Sequence, residues 1–180
     1  MKERCIPTVF VNNLDEFSDL CTKLQEQGYK RIEILVRNSI AFDALKLATQ
    51  KFKNIEFGVG TIINKKQCRE AIKIGAKFIV SPGFSKEIAI ICKRKKIEYI
   101  PGCVTPTEIM EAIRFNIKKI KYFPTKIYGG IDGIKALQGP FPDILFMPSG
   151  NIQQEDIEIF LKLPNVYAVS SSCFQKQMDS

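Results

Sequence analysis

Eight short runs rich in β-branched and aromatic residues recur along this chain, and helix-length amphipathic stretches separate them. That alternation constrains the fold more than any other feature. Consecutive strands joined through helices lie parallel, because a crossover long enough to hold a helix returns the chain to the same end of the sheet. The pattern predicts strands over 6–11, 31–36, 56–60, 78–81, 99–102, 119–124, 144–149 and 166–172. It predicts helices over 14–27, 39–52, 65–74, 86–95, 106–115, 133–137 and 153–161. Local chemistry backs several boundaries. Asn64 and Ser85 stand where they can cap the third and fourth helices, and Thr105-Pro106 puts proline at the first helical position of the fifth. Gly28 and Gly75 stop the first and third.

An open doubly wound sheet and a closed barrel both satisfy that alternation, and two observations favour the barrel. Several runs end in a small or polar residue beside glycine or proline: Gly60-Thr61, Ser81-Pro82-Gly83, Pro101-Gly102, Phe123-Pro124 and Ser149-Gly150. Strand ends of this kind build the working face of a barrel. No GxGxxG or GxxxxGK[ST] follows the first strand, as a nucleotide-binding doubly wound sheet would prefer. The expected fold is therefore a single (β/α)8 TIM barrel over residues 1–180. That length is short for a barrel, and only 173–180 follow the last strand, so the eighth helix is expected to be stunted, missing or supplied by a neighbouring subunit.

The remaining composition narrows the chemistry. The six cysteines are scattered without a CxxC pair and there is no histidine, which argues against a disulfide framework and against a Cys/His zinc site. Proton transfer near neutral pH then falls to carboxylates, Lys, Tyr, Cys or water. The net charge of +8 raises nucleic acid as a partner. The densest basic run, Lys93-Arg94-Lys95-Lys96, ends a predicted helix where cations suit its dipole, and no aromatic-interleaved basic motif accompanies it. A solvated lysine-rich surface or an anionic substrate is favoured over nucleic acid. No run approaches the roughly 18–20 apolar residues of a membrane span, and the N-terminus does not read as a signal peptide. A cytoplasmic location is expected by default, with no membrane partner.

Two strands carry candidate chemistry. In Arg31-Ile32-Glu33-Ile34-Leu35-Val36-Arg37, period two puts Ile32, Ile34 and Val36 on one face and Glu33, Leu35 and Arg37 on the other. The apolar face suits packing under helices, which turns Glu33 and Arg37 inward, where charge is costly unless paired or used. One reading is a structural salt bridge. The other makes Arg37 an anion clamp and Glu33 a proton carrier. In Lys119-Ile120-Lys121-Tyr122-Phe123-Pro124, Lys121 sits mid-strand on the face of Phe123, where desolvation favours a nucleophilic amine. Lys119 shares that face nearer the strand start, at the far end of the barrel.

With these residues in view, the chain resembles the bacterial 2-keto-3-deoxy-6-phosphogluconate (KDPG) / 4-hydroxy-2-oxoglutarate (KHG) aldolases, a class I family. The matching pieces, in order, are the segment from Ile6 to Val11, the Glu33 to Arg37 strand, Gly58-Val59-Gly60-Thr61, Ser81-Pro82-Gly83, Ile100-Pro101-Gly102, Lys121-Tyr122-Phe123-Pro124, Lys135-Ala136-Leu137 with Gly139-Pro140-Phe141, and Pro148-Ser149-Gly150. The resemblance implies that Lys121 forms the Schiff base and Glu33 shuttles protons. It implies that Arg37 and Thr61 hold the pyruvate carboxylate, that Phe123 and Pro82 wall the pocket, and that Gly150 and Ser172 belong to a phosphate-binding corner. It further implies a homotrimer and a small-molecule keto-acid substrate, with no metal or organic cofactor.

Three places depart from the family pattern. Thr125-Lys126 stands where the family usually has Ala-Glu, Gly150-Asn151 where it has Gly-Gly, and Ser170-Ser171-Ser172 where it has Gly-Gly-Ser. Added side chains crowd that corner, so the imine machinery is the better preserved half. The expected activity is cleavage of a 2-keto-4-hydroxy acid, such as KDPG or 4-hydroxy-2-oxoglutarate, to pyruvate and an aldehyde. The alternatives are another keto-acid reaction at Lys121 and a non-catalytic barrel that binds a keto acid or phosphorylated metabolite.

Overall fold

The computed structural model describes residues 2–176 and alternates strand and helix throughout. The strands are β1 (Cys5–Val9), β2 (Arg31–Leu35), β3 (Glu56–Gly60), β4 (Phe78–Val80), β5 (Glu98–Ile100), β6 (Lys119–Tyr122), β7 (Leu145–Pro148) and β8 (Val169–Ser171). The helices are α1 (Leu14–Glu26), α2 (Ile40–Lys51), α3 (Lys65–Ile74), α4 (Lys86–Lys95), α5 (Pro106–Arg114), α6 (Gly130–Gln138), α7 (Gln154–Leu161) and α8 (Cys173–Lys176). All strand pairings are parallel: six strands run in the order β5-β4-β3-β2-β1-β8, and β6 pairs with β7. Isolated parallel bridges join the two sets, Gly102 to Lys121 on one side and Ser149 to Ser170 and Phe146 to Val166 on the other. The result is an α/β fold on a curled parallel sheet.

Strand parity sorts the side chains as the sequence predicts. Ile32, Ile34 and Val36 of the second strand region, with Ile120 and Tyr122 of β6, lie in the large apolar layer between sheet and helices. Inside the curl, Ile6, Phe78, Val80, Ile100, Met147 and Ala168 form a second, smaller cluster. Two glycines make that interior possible. A Cβ on Gly58 would fall 2.3 Å from the Phe78 ring, and one on Gly60 would fall 1.9 Å from Glu33 Oε1. Each glycine yields its inward volume to a side chain of the neighbouring strand.

The boundary differences have local causes. Asn64, Ser85 and Thr105 cap α3, α4 and α5 through their side chains, as expected. The run over 119–124 stops pairing at Tyr122, since Pro124 has no N–H for a ladder and Thr125 bonds instead to Ser149. The sixth helix starts at Gly130, three residues early, after Gly129 at φ 88°. The last helix begins at Cys173, and Lys176, within it, is the last described residue. All six cysteines are free and buried. No helix among the described residues is long and apolar enough to cross a membrane.

Candidate active site

β2 and β6 are not paired strands, yet their inward side chains meet. Lys121 Nζ lies 3.4 Å from Glu33 Oε1, with the Lys121 side chain 8% exposed and Glu33 fully buried. Such a contact between strands four apart in the chain passes through the interior of the curl. The separation exceeds the roughly 2.7–2.9 Å of a tight charged hydrogen bond, so the amine is held without being locked. Glu33's other oxygen, Oε2, accepts a hydrogen bond from the Ser170 hydroxyl at 2.9 Å. Lys121 Nζ also stands 5.1 Å from the centroid of the Phe123 ring. A buried ion pair is expensive to desolvate and is often replaceable by apolar side chains, which makes this one weak as a stability device and apt for chemistry.

A cavity of about 570 Å³ adjoins this pair. Lys121, Phe123, Arg37, Gly150 and Ser172 all line it, together with Thr8, Phe10, Lys126, Ser149, Asn151 and Gln175. Arg37 is exposed at its mouth and has no carboxylate within ion-pair range among the described residues, so the structural salt bridge weighed for Glu33 and Arg37 is not formed. Gly150 adopts φ 90°, and a Cβ there would meet the Phe123 ring at 2.9 Å, so glycine lets the β7 end approach the β6 end. Thr61 directly follows Gly60 at φ 62°, a left-handed conformation that a β-branched residue adopts only under constraint from its surroundings. Neither Thr61 nor Pro82, which is exposed after β4, lines the cavity. Lys119 lies at the other end of β6, where it pairs with Glu98 at 3.0 Å.

Some of the site was missed in the sequence. Ser170 shares parity with Ala168 and Ser172, and that alone would have turned it inward beside Glu33. Thr125 is fully buried: its hydroxyl accepts from Ser149 N–H at 2.8 Å and stands 2.7 Å from the Tyr122 carbonyl and 2.8 Å from that of Ser149. Gln175 bonds both backbone groups of Phe10, at 3.1 and 3.0 Å, and so ties the chain beyond β8 to the end of β1. No local pattern signals the last two, because their partners lie far away along the chain. Among the described residues no group of three His, Cys, Asp or Glu side chains is placed to hold a metal ion.

Lys121 and Glu33 together offer a nucleophilic amine with a proton carrier beside it, and Arg37 offers a cation for an anionic substrate group. Comparison with known proteins identifies the family. The family model for KDPG and KHG aldolases matches residues 1–179. The 2-dehydro-3-deoxy-phosphogluconate aldolase of Pseudoalteromonas atlantica is 32% identical over 167 residues, 93% of this chain and 78% of that one. The same enzyme from Haemophilus influenzae is 31% identical over 95% of this chain and 81% of its own. A solved structure of the Legionella pneumophila KDPG aldolase, with pyruvate captured as a covalent carbinolamine, superposes with a TM-score of 0.92 at 31% identity, covering 98% of this chain and 89% of that one. The chain belongs to the KDPG and KHG aldolase family.

Proposed function

We propose that the chain is a Schiff-base aldolase in which Lys121 attacks the C2 carbonyl of a 2-keto-4-hydroxy acid and Glu33 moves the protons. Nζ addition gives a carbinolamine, and loss of water gives an iminium that withdraws electrons from C3. The C3–C4 bond then breaks as the C4 hydroxyl loses its proton, which releases an aldehyde and leaves a pyruvate enamine. Protonation at C3 and hydrolysis free pyruvate and restore the amine. Addition, dehydration and hydrolysis each need a proton carrier beside the nitrogen, and a buried carboxylate with one oxygen on Lys121 and the other on a serine hydroxyl meets that need.

The single observation that carries the reading is the buried Lys121–Glu33 pair beside a cavity that also presents Arg37. Arg37 pairs with the C1 carboxylate and Phe123 bounds the pyruvate end, while Thr61 and Pro82, to which the family resemblance gives roles there, stand outside the cavity lining. Gly150 and Ser172 lie toward the aldehyde end, where the product is glyceraldehyde 3-phosphate or glyoxylate. The same reading carries a closed (β/α)8 barrel as a single domain over 1–180. The bridges from Gly102 to Lys121 and from Ser149 to Ser170 support closure. It carries also, on resemblance to the family, a homotrimer in the cytoplasm.

The test is borohydride reduction in the presence of pyruvate, read by intact and peptide mass spectrometry. A reduced pyruvyl adduct on the Lys121 peptide, absent in Lys121→Ala, is the expected result. No adduct at saturating pyruvate in folded protein would sink the aldolase reading and leave a binding barrel in its place.

A further inference from the structure

The cavity holds one more cation than the keto acid end uses. Arg37, Lys121 and Lys126 line it. Lys121 is engaged with Glu33 and, in the proposed reaction, becomes the imine nitrogen. Arg37 answers the carboxylate beside the carbonyl. Lys126 has no such role, and its ion partner among the described residues is Asp156 on α7, at 3.4 Å with side chains 55% and 30% exposed. An exposed pair of this kind is worth little, so an incoming anion displaces Asp156 at small cost.

Position distinguishes Lys126 from the other lysines of a lysine-rich surface. The preceding residue, Thr125, is fully buried and anchored to the backbone of Ser149 on one side and Tyr122 on the other. Its carbonyl also accepts from Gly130 N–H at 2.9 Å, which closes the segment at its far end. The Lys126 backbone is therefore held in register with the end of β6, five residues beyond Lys121, while its side chain stays free to turn from Asp156 to a ligand. Asn151 and Ser172, on the strand ends beyond β7 and β8, line the same cavity with further polar groups.

We propose that Lys126 is a specificity-determining residue that selects substrates whose aldehyde half ends in an oxyanion, a carboxylate or a phosphate, by pairing with that group in place of Asp156. This rests on the aldolase reading. The test uses three 2-keto-4-hydroxy acids that end in a neutral hydroxymethyl group, a carboxylate or a phosphate ester, in steady-state cleavage by the full chain. Lys126→Ala is expected to lower the preference for anion-ended over neutral-ended substrate by about tenfold or more, through KM rather than kcat, the range of a charge-assisted hydrogen bond. Lys126→Arg retains most of the preference. Asp156→Asn, which keeps a side-chain oxygen for the start of α7, lowers KM for the anion-ended substrates. Whichever anion loses more in Lys126→Ala is the one the site takes. A preference equal in wild type and Lys126→Ala, with pyruvate still trapped on Lys121, overturns this assignment and leaves the aldolase reading standing. Failure to trap pyruvate in the wild type overturns both.

Discussion

Glu33 fits where it does because a neighbour has no side chain. The carboxylate is fully buried between Lys121 and Ser170, and the volume it occupies is the one a Cβ at Gly60 would claim, 1.9 Å from Oε1 and 3.0 Å from Cγ. Gly60→Ala therefore forces the end of Glu33 aside. Because the displaced atoms are the tip of a side chain rather than backbone, the protein still folds, with a loss of about 1–3 kcal/mol from overpacking. The carboxylate leaves at least one of its two partners, and the rate of pyruvate trapping on Lys121 falls by about tenfold or more. Gly83→Ala is the control, since a Cβ there meets nothing within 4 Å. Thermal melts beside trapping rates separate the two effects: equal trapping in wild type and Gly60→Ala would show that Glu33 does not need its present position. The inward placement of Glu33 and Lys121 was legible in the sequence, because strand parity is a local property of β2 and β6. That the two touch each other was not, because it depends on how the sheet curls between them.

The segment joining β6 to α6 shows the same limit one scale up. Phe123 and Lys126 belong to it and line the cavity with Lys121 of β6, and its anchor is Thr125. Thr125→Val keeps the shape of the side chain and removes the acceptor for the buried Ser149 N–H and the donor toward the carbonyls of Tyr122 and Ser149. The backbone bonds from Ser149 N–H to Tyr122 O and from Thr125 N–H to Ser149 O, both 3.0 Å, remain, so no buried group is orphaned and the variant is expected to lose about 0.5–1.5 kcal/mol, the net worth of a hydrogen bond, in denaturant titration. Since the lost bonds join β6 to β7, hydrogen exchange should rise at Ser149 and Gly130 ahead of the rest of the sheet. A melting point and exchange pattern matching the wild type would mean that the hydroxyl is dispensable to the segment. In the sequence Thr125 registers only as a departure from the family pattern, while its hydrogen bonds reach across to β7.

At the scale of the whole molecule, β6 carries one lysine to each end of the sheet, and the two ends treat charge differently. At the chemical end, Lys121 has a loose partner and a cavity. At the opposite end, Lys119 and Arg31 close on Glu98: Lys119 Nζ at 3.0 Å and Arg31 through a guanidinium hydrogen bond, with Glu56 3.4 Å from Arg31 Nε. Arg31 also stacks 4.1 Å over the Phe78 ring and Lys119 lies 5.1 Å from that of Tyr167. This cluster is a structural clamp with a predictable response to pH. Burial pushes the Glu98 carboxyl up, but the facing Arg31 and Lys119 charges outweigh it and hold it below its usual 4.5. A carboxyl whose folded value is depressed contributes stability that is present above its unfolded value and is lost as pH falls through the folded one. The wild type should thus exceed Glu98→Gln in stability by its full margin above about pH 4.5 and lose that margin progressively below it. The chain already carries +8, and every carboxylate that protonates adds to its self-repulsion, so both proteins weaken in acid and only their difference reports on Glu98. Because the side chain is 30% exposed, water screens the pair and the margin stays modest. Urea titrations of both proteins across the acid range give that difference directly. A margin that stays constant or widens below the usual glutamate range would show that Arg31 and Lys119 do not stabilise the Glu98 carboxylate.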